Sequence, residues 1–231
     1  MWSREVDGRV LRFHLGGVNN QNFIMFDEET GSWWQQITGE CIFGQLKGKR
    51  LRRIASDEVS LAIWRAEHSS STVVKFDPKY LSSYAGSDWE KRTGAAPTPK
   101  ALSEGPLAPR EIVIGIQVDG VAAAFPMAML RERSPVNTRV GKAPVLLLVA
   151  PDGNSVRSFL RPKADGQELE FFRRVEDGAL VDSSGSVWGF AGKALSGPMA
   201  GRALEPVQNT KDFWFDWHRY NPNGLLRVRG F

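Results

Sequence analysis

Apolar residues along this chain recur mostly with a period of two and seldom with the 3.6 of a helix, so the pattern predicts many short strands. Glu111 to Val118 (EIVIGIQV) alternates, runs into Asp119-Gly120, and is followed by Val121 to Phe125. An Asp-Gly pair between two such runs predicts a hairpin whose turn needs positive φ. Val6, Val10, Leu11 and Phe13 around Asp7-Gly8 predict another. Val145 to Val149 is a continuous apolar run, which suits a strand buried on both faces, and Pro151-Asp152-Gly153-Asn154 closes it as a turn. Helices are expected only as short pieces: Met127 to Arg133, Ser56 to Glu67 and Asn209 to Tyr220. In the second, Ser56 is the expected N-cap, with Val59, Ile63 and Ala66 as an inward stripe. The predicted fold class is mainly β, with a few short covering helices.

The pattern also occurs twice. Residues 39 to 74 lie on residues 192 to 227 at a constant shift of 153 with no gap, setting Gly39, Gly44, Gly48, Leu51, Ile54 and Trp64 on Gly192, Gly197, Gly201, Leu204, Val207 and Trp217. With small slips, Gly31, Ser32 and Trp34 answer Gly185, Ser186 and Trp188, and Asp7-Gly8 answers Asp165-Gly166. Two copies of one β-rich unit are expected in tandem. Residues 111 to 162 lead the second copy and have no counterpart in the first, as a truncated or late-starting N-terminus would leave it. Residues 77 to 110 hold five prolines with much Gly, Ser and Ala. The expected organisation is residues 1–76 as the trailing half of repeat one, 77–110 as a linker or long surface connection, and 111–231 as a complete repeat two. One compact unit is expected, since separate halves would expose strand edges.

Composition narrows function mainly by exclusion. Among the 231 residues 24% are charged and 42% hydrophobic, and no run of about 18 apolar residues is present to span a membrane. A net charge of +4 falls short of a dedicated nucleic-acid binder. Cys41 is the single cysteine, so neither an internal disulfide nor a CxxC metal site can form. The N-terminus lacks a basic segment followed by an apolar one, which taken literally reads as cytoplasmic.

Candidate chemistry concentrates in GSWWQQITGE, residues 31 to 40. As a strand over 32 to 38, it would put Ser32, Trp34, Gln36 and Thr38 on one face and Trp33, Gln35 and Ile37 on the other. Trp34 is matched by Trp188 and reads as core, whereas Trp33, Gln35, Gln36 and Glu40 are private to the first copy. Amides beside an indole can hold a polar ligand such as a sugar or peptide, and can equally satisfy neighbouring backbone groups. Asn20, Asn22 and Asp27 form the best second contributor, or else a turn. The candidate ligand-binding residues are therefore Asn20, Asn22, Asp27, Trp33, Gln35, Gln36 and Glu40, and Asp27 with Glu40 is the candidate catalytic carboxylate pair. His14, His68 and His218 lack metal-ligand spacing, and no GxSxG, P-loop or GxGxxG follows a strand. Neither metal nor cofactor is expected. The run Lys47-Gly48-Lys49-Arg50-Leu51-Arg52-Arg53 could grip phosphates or simply be a solvated edge.

EVDGRVLRFHLGG, NNQNFIMFDEETGSWWQQITGECIFGQLKGKRL, SLAIWRAEH and IGIQVDGVAAAFPMAMLRERSPVNTRVGKAPVLLLV together resemble the bacterial and archaeal domain-of-unknown-function family three-one-seven-nine over most of the chain. The resemblance implies a β-dominated repeat protein, often periplasmic, secreted or lipid-anchored, without an established activity. Such proteins usually carry a CPLC-like pair after the buried strand, where this chain reads Ala150-Pro151-Asp152-Gly153. A thiol-based role is unsupported here. The leading expectation is a non-enzymatic binding or interaction module for a polar small molecule, glycan or protein. A hydrolase using Asp27 and Glu40 is the alternative, and weak anionic-polymer binding through residues 47 to 53 is a third. Convergence of the polar groups into one concave pocket is what separates them.

Overall fold

The computed structural model describes residues 1–19, 22–98 and 105–227, and Asn20 lies outside them. Among these the chain is mainly β. It opens with a hairpin of β1 (Glu5–Val6) and β2 (Arg9–Val10), turned by Asp7 and Gly8 at φ 50° and 76°. A four-stranded antiparallel sheet follows in sequence order, β3 (Phe13–Asn19), β4 (Asn22–Asp27), β5 (Trp33–Gln35) and β6 (Cys41–Phe43). The strand expected over 32 to 38 stops at Gln35, because the chain turns there: the Gly39 N–H returns to the Gln35 carbonyl at 2.8 Å. Gln36 and Thr38 therefore do not continue the face that carries Trp34.

Helix α1 (Leu61–Glu67) is shorter than expected, and its cap is Ser60, whose hydroxyl accepts the Ile63 N–H, rather than Ser56. Residues 56 to 60 are taken up by the second half of the chain: the Ser56 N–H donates to Gln208 Oε1 at 2.8 Å and the Ser60 N–H to Ser155 Oγ at 2.9 Å. Of the expected inward stripe, Val59 and Ile63 are half-buried and Ala66 is exposed. A 3-10 helix (Pro78–Ser83) and helix α2 (Trp89–Ala95) come next, neither with a buried residue.

The predicted hairpin is β7 (Ile112–Val118) with β8 (Val121–Pro126), turned by Asp119 and Gly120 at φ 49° and 77°. Helix α3 (Met127–Arg133) follows with the expected bounds. Strands β9 (Val136–Val140), β10 (Ala143–Val149) and β11 (Val156–Leu160) form a sheet with β10 in the middle. Its continuous apolar run now has a cause, since alternate residues serve two cores: Val145, Leu147 and Val149 pack with the β7–β8 hairpin and α3, Leu146 and Leu148 with the elements that follow. Those are the hairpin β12 (Lys163–Ala164) and β13 (Gln167–Glu168), then a second four-stranded sheet, β14 (Phe171–Arg173), β15 (Leu180–Asp182), β16 (Val187–Trp188) and β17 (Ala194–Ser196).

The expected helix from Asn209 to Tyr220 is half strand. Asn209–Phe213 (β18) pairs antiparallel with β7, and only Trp214–Tyr220 (α4) is helical. The open edge of the β7–β8 hairpin accounts for this, because its unpaired backbone groups need a partner and residues 209–213 supply it. On the other edge, β19 (Leu225–Leu226) pairs parallel with β8.

The sheets β3–β6 and β14–β17 each close around one buried tryptophan. The Trp34 indole N–H donates to Asp27 Oδ2 at 2.7 Å, and that of Trp188 to Asp182 Oδ2 at 2.7 Å. Beside them, Ser32 Oγ accepts the Leu46 N–H and Ser186 Oγ the Met199 N–H. Cys41 is fully buried where the second sheet has Ala194, so its thiol fills space as a small apolar group, and burial pushes its pKa up. Gly44 and Gly197 bend over the two serines at φ 100° and 89°, where a Cβ would fall 2.7 Å from Ser32 Cα and 2.6 Å from Ser186 Cα. Both contacts are with backbone, which cannot step aside. Gly197→Ala is expected to cost more than about 1 kcal/mol, and more than Gly201→Ala, which shares the positive φ but has nothing within 4 Å. Urea unfolding of the two variants checks the order.

Candidate functional site

The carboxylates proposed from sequence do not converge. Asp27 is fully buried and accepts bonds from the Trp34 indole, the Thr30 N–H at 2.7 Å and the Thr30 hydroxyl. Glu40 lies on the surface and pairs with Arg50 at 2.7 Å. Asp27 is bonded to Ser32 just before β5 and Glu40 to Gln35 at its end, a separation of roughly 10 Å at about 3.3 Å per strand residue. Trp33 is 38% exposed and meets Phe26 edge to face.

Two of the other candidates, Asn22 and Gln35, meet at one place, where the first sheet faces β18 and α4, and the backbone of a third, Gln36, borders it. Asn22 Nδ2 donates to Asp216 Oδ2 at 3.3 Å while its Oδ1 accepts the Ile37 N–H. Gln35 Nε2 donates to the Tyr220 hydroxyl at 2.7 Å, and the Gln36 carbonyl accepts the Trp2 indole N–H at 2.6 Å. These groups stand behind a cleft of about 380 Å³ that Trp2, Thr38, Arg53, Thr210, Asp212 and Tyr220 help to line. Arg53 Nη2 donates to Thr210 Oγ1 at 2.9 Å, and its guanidinium lies over the Trp2 ring. Gly115 lets Trp217 press against β7, since a Cβ there would sit 2.1 Å from the indole nitrogen.

Asp212 is the unusual group. Burial pushes its carboxyl up to about 7, and the charges of Asp216 and Glu58 add to this, while the Phe213 N–H, bonded to Oδ1 at 2.8 Å, opposes it. Burial also raises Asp216, against the bond from Asn22, and its Oδ1 has no partner among the described residues. Near neutral pH the cleft thus offers a carboxyl that can donate as well as accept, a guanidinium, a threonine and a phenol around aromatic walls. Such a set suits a ligand rich in hydroxyls. Sequence reasoning missed Thr210, Asp212 and Tyr220 because they lie more than 150 residues from Arg53 and Gln35 along the chain. The signal was Asp212 and Asp216, two carboxylates four apart on either side of the aromatic run Phe213-Trp214-Phe215.

Elsewhere the polar candidates are spent locally. Among the described residues no group of three or more His, Cys, Asp or Glu is placed to hold a metal. His14 bonds Glu28, His68 packs at a tilt against Trp64, and His218 stacks on Trp214. In the basic run, Lys49 pairs with Asp7, Arg50 with Glu40, and Arg53 serves the cleft.

Asp212 gives the cleft a pH signature. A carboxyl raised in the folded state contributes stability that is fully present below its unfolded value, 3.8, and lost as pH rises through about 7. Thermal melts are expected to fall across that window, and Asp212→Asn to flatten the fall and raise the melting temperature above pH 7.

No helix among the described residues is long and apolar enough to cross a membrane. No curated protein and no solved structure matches the chain. A family model does, over residues 1–224 of 231. The chain therefore belongs to the family described as Protein of unknown function (DUF3179).

Proposed function

We propose that this chain is a binding module for a small, hydroxyl-rich polar ligand such as a saccharide, held in the cleft between the first sheet and β18–α4. The observation that carries the reading is the convergence of Arg53, Thr210, Asp212 and Tyr220 on one concavity, backed by Asn22 and Gln35. Its volume of about 380 Å³ falls within the range of small-molecule sites. Two units of one design, a trailing half over residues 1–76 and a whole one over 111–231 joined by 77–110, would explain why the cleft exists. Supporting this, the Trp–Asp bond, the serine-held turn and the glycine bend recur at paired positions. An extracytoplasmic setting, which the family resemblance suggests, would bring such a module to glycans.

A hydrolase is the second reading, and the observation that favours it is Asp212 at about 7, the range of a general acid. Asp212 is, however, the only carboxylate among the described residues that line the cleft, and Asp216 is engaged by Asn22. Binding needs no second carboxylate, so it is preferred.

Titration with a panel of neutral di- and trisaccharides, followed by tryptophan fluorescence, tests the proposal, since Trp2 and Trp217 line the cleft. At least one sugar is expected to bind. Thr210→Val and Tyr220→Phe should each weaken it about tenfold, the worth of one good hydrogen bond, and Trp33→Ala should leave it unchanged. Failure of every sugar, or sensitivity to Trp33 but not to the cleft variants, overturns the reading. Turnover of a chromogenic glycoside that Asp212→Asn abolishes would establish the hydrolase instead.

A further inference from the structure

A second concavity, of about 590 Å³, opens where β9 meets the end of β11, the start of β14 and the segment after β19. Four arginines line it: Arg133, Arg139, Arg161 and Arg227, against one lining carboxylate, Glu170. Two of them are partly neutralised. Arg139 holds Glu168 at 2.5 Å and 2.6 Å, and Arg161 reaches the same carboxylate at 3.4 Å and the Leu169 carbonyl at 3.2 Å. Glu170 stands 3.7 Å from Arg161 with its side chain 71% exposed, too distant and too solvated to count for much. Arg133 and Arg227 have no carboxylate partner among the described residues.

Burial makes this arrangement costly unless something completes it. The Arg161 side chain is only 6% exposed, yet among the described residues its Nε has no hydrogen-bond partner, and neither has the buried Nε of Arg227. An unsatisfied buried donor on a charged group costs more than the bond it forgoes. Guanidinium groups present forked donors that match the oxygens of a phosphate. Four guanidinium groups against two carboxylates leave a surplus of two positive charges at the cleft, which a compact dianion would balance.

We propose that this arginine cleft binds a small soluble anion bearing phosphate groups, independently of the saccharide site. The basic run at residues 47 to 53 is not part of it. Arg161 and Arg139, tied down by Glu168, form the fixed floor of the cleft, and Arg133 and Arg227 supply the charge that is free to be used.

Calorimetric titration of the full chain with inorganic pyrophosphate at low salt tests this, with anionic phospholipid vesicles as a parallel arm. Pyrophosphate is expected to bind, with affinity falling as salt rises. Arg227→Gln and Arg133→Gln should each weaken it about tenfold or more while melting within a few degrees of the parent, and Arg52→Gln should have no effect. Absence of pyrophosphate binding overturns the proposal. So does binding that Arg52→Gln weakens as much as the cleft variants, which would mark a diffuse basic surface, and so does binding confined to the vesicles. Tyr220→Phe serves as the cross-check, since it lies in the other cleft and should leave the pyrophosphate affinity unchanged.

Discussion

Arg157 is the constraint on which the junction of this protein depends. Its side chain is 6% exposed, and a guanidinium that far from water must be matched by charge and hydrogen bonds or the fold is strongly penalised. Asp57 meets Nε at 2.7 Å, and Glu67 takes both remaining nitrogens at 2.7 Å. Both carboxylates come from the first half of the chain, whereas Arg157 sits in β11 of the second. The segment that links the first sheet to α1 is thereby pinned across the second half. Ser56 with Gln208 and Ser60 with Ser155 extend the same seam.

Pinning residues 56 to 67 also decides where Arg53 goes. Held close to β18, it reaches Thr210, and the first sheet is brought near enough to α4 for Gln35 to bond Tyr220 and Asn22 to bond Asp216. The cleft is the space left between these contacts. Its electrostatics follow from the same closure, because the burial that raises Asp212 and Asp216 is supplied partly by the sheet that docks on them. The cleft and the seam are thus two results of one docking event, while the arginine-lined concavity is built within the second half alone.

Much of the fold was legible from local pattern. Asp119-Gly120 sets a hairpin by turn chemistry alone, Val145 to Val149 suits a doubly buried strand and forms one, and Trp34 matched to Trp188 marked a core position. What could not be read was set by distant partners. Asn209 to Phe213 has a pattern compatible with a helix and becomes a strand because β7 offers an open edge. Ser56 has the chemistry of a cap and is drawn off to Gln208. The candidate site divided in the same way: Asn22 and Gln35 stood out in the sequence as amides, but the groups they bond lie nearly two hundred residues on, and Asp27 is bonded by the Trp34 indole.

The measurement that bears most directly on the proposed saccharide cleft is the titration of the Asp212 carboxyl, followed by its carbon-13 resonance in the free protein with Asp212→Asn for assignment. A closed and desolvated cleft requires the midpoint to stand at about 7. A midpoint in the ordinary aspartate range, roughly 3.5 to 4, would mean that water reaches the group freely, that the two halves do not close over it, and that the site described here does not exist.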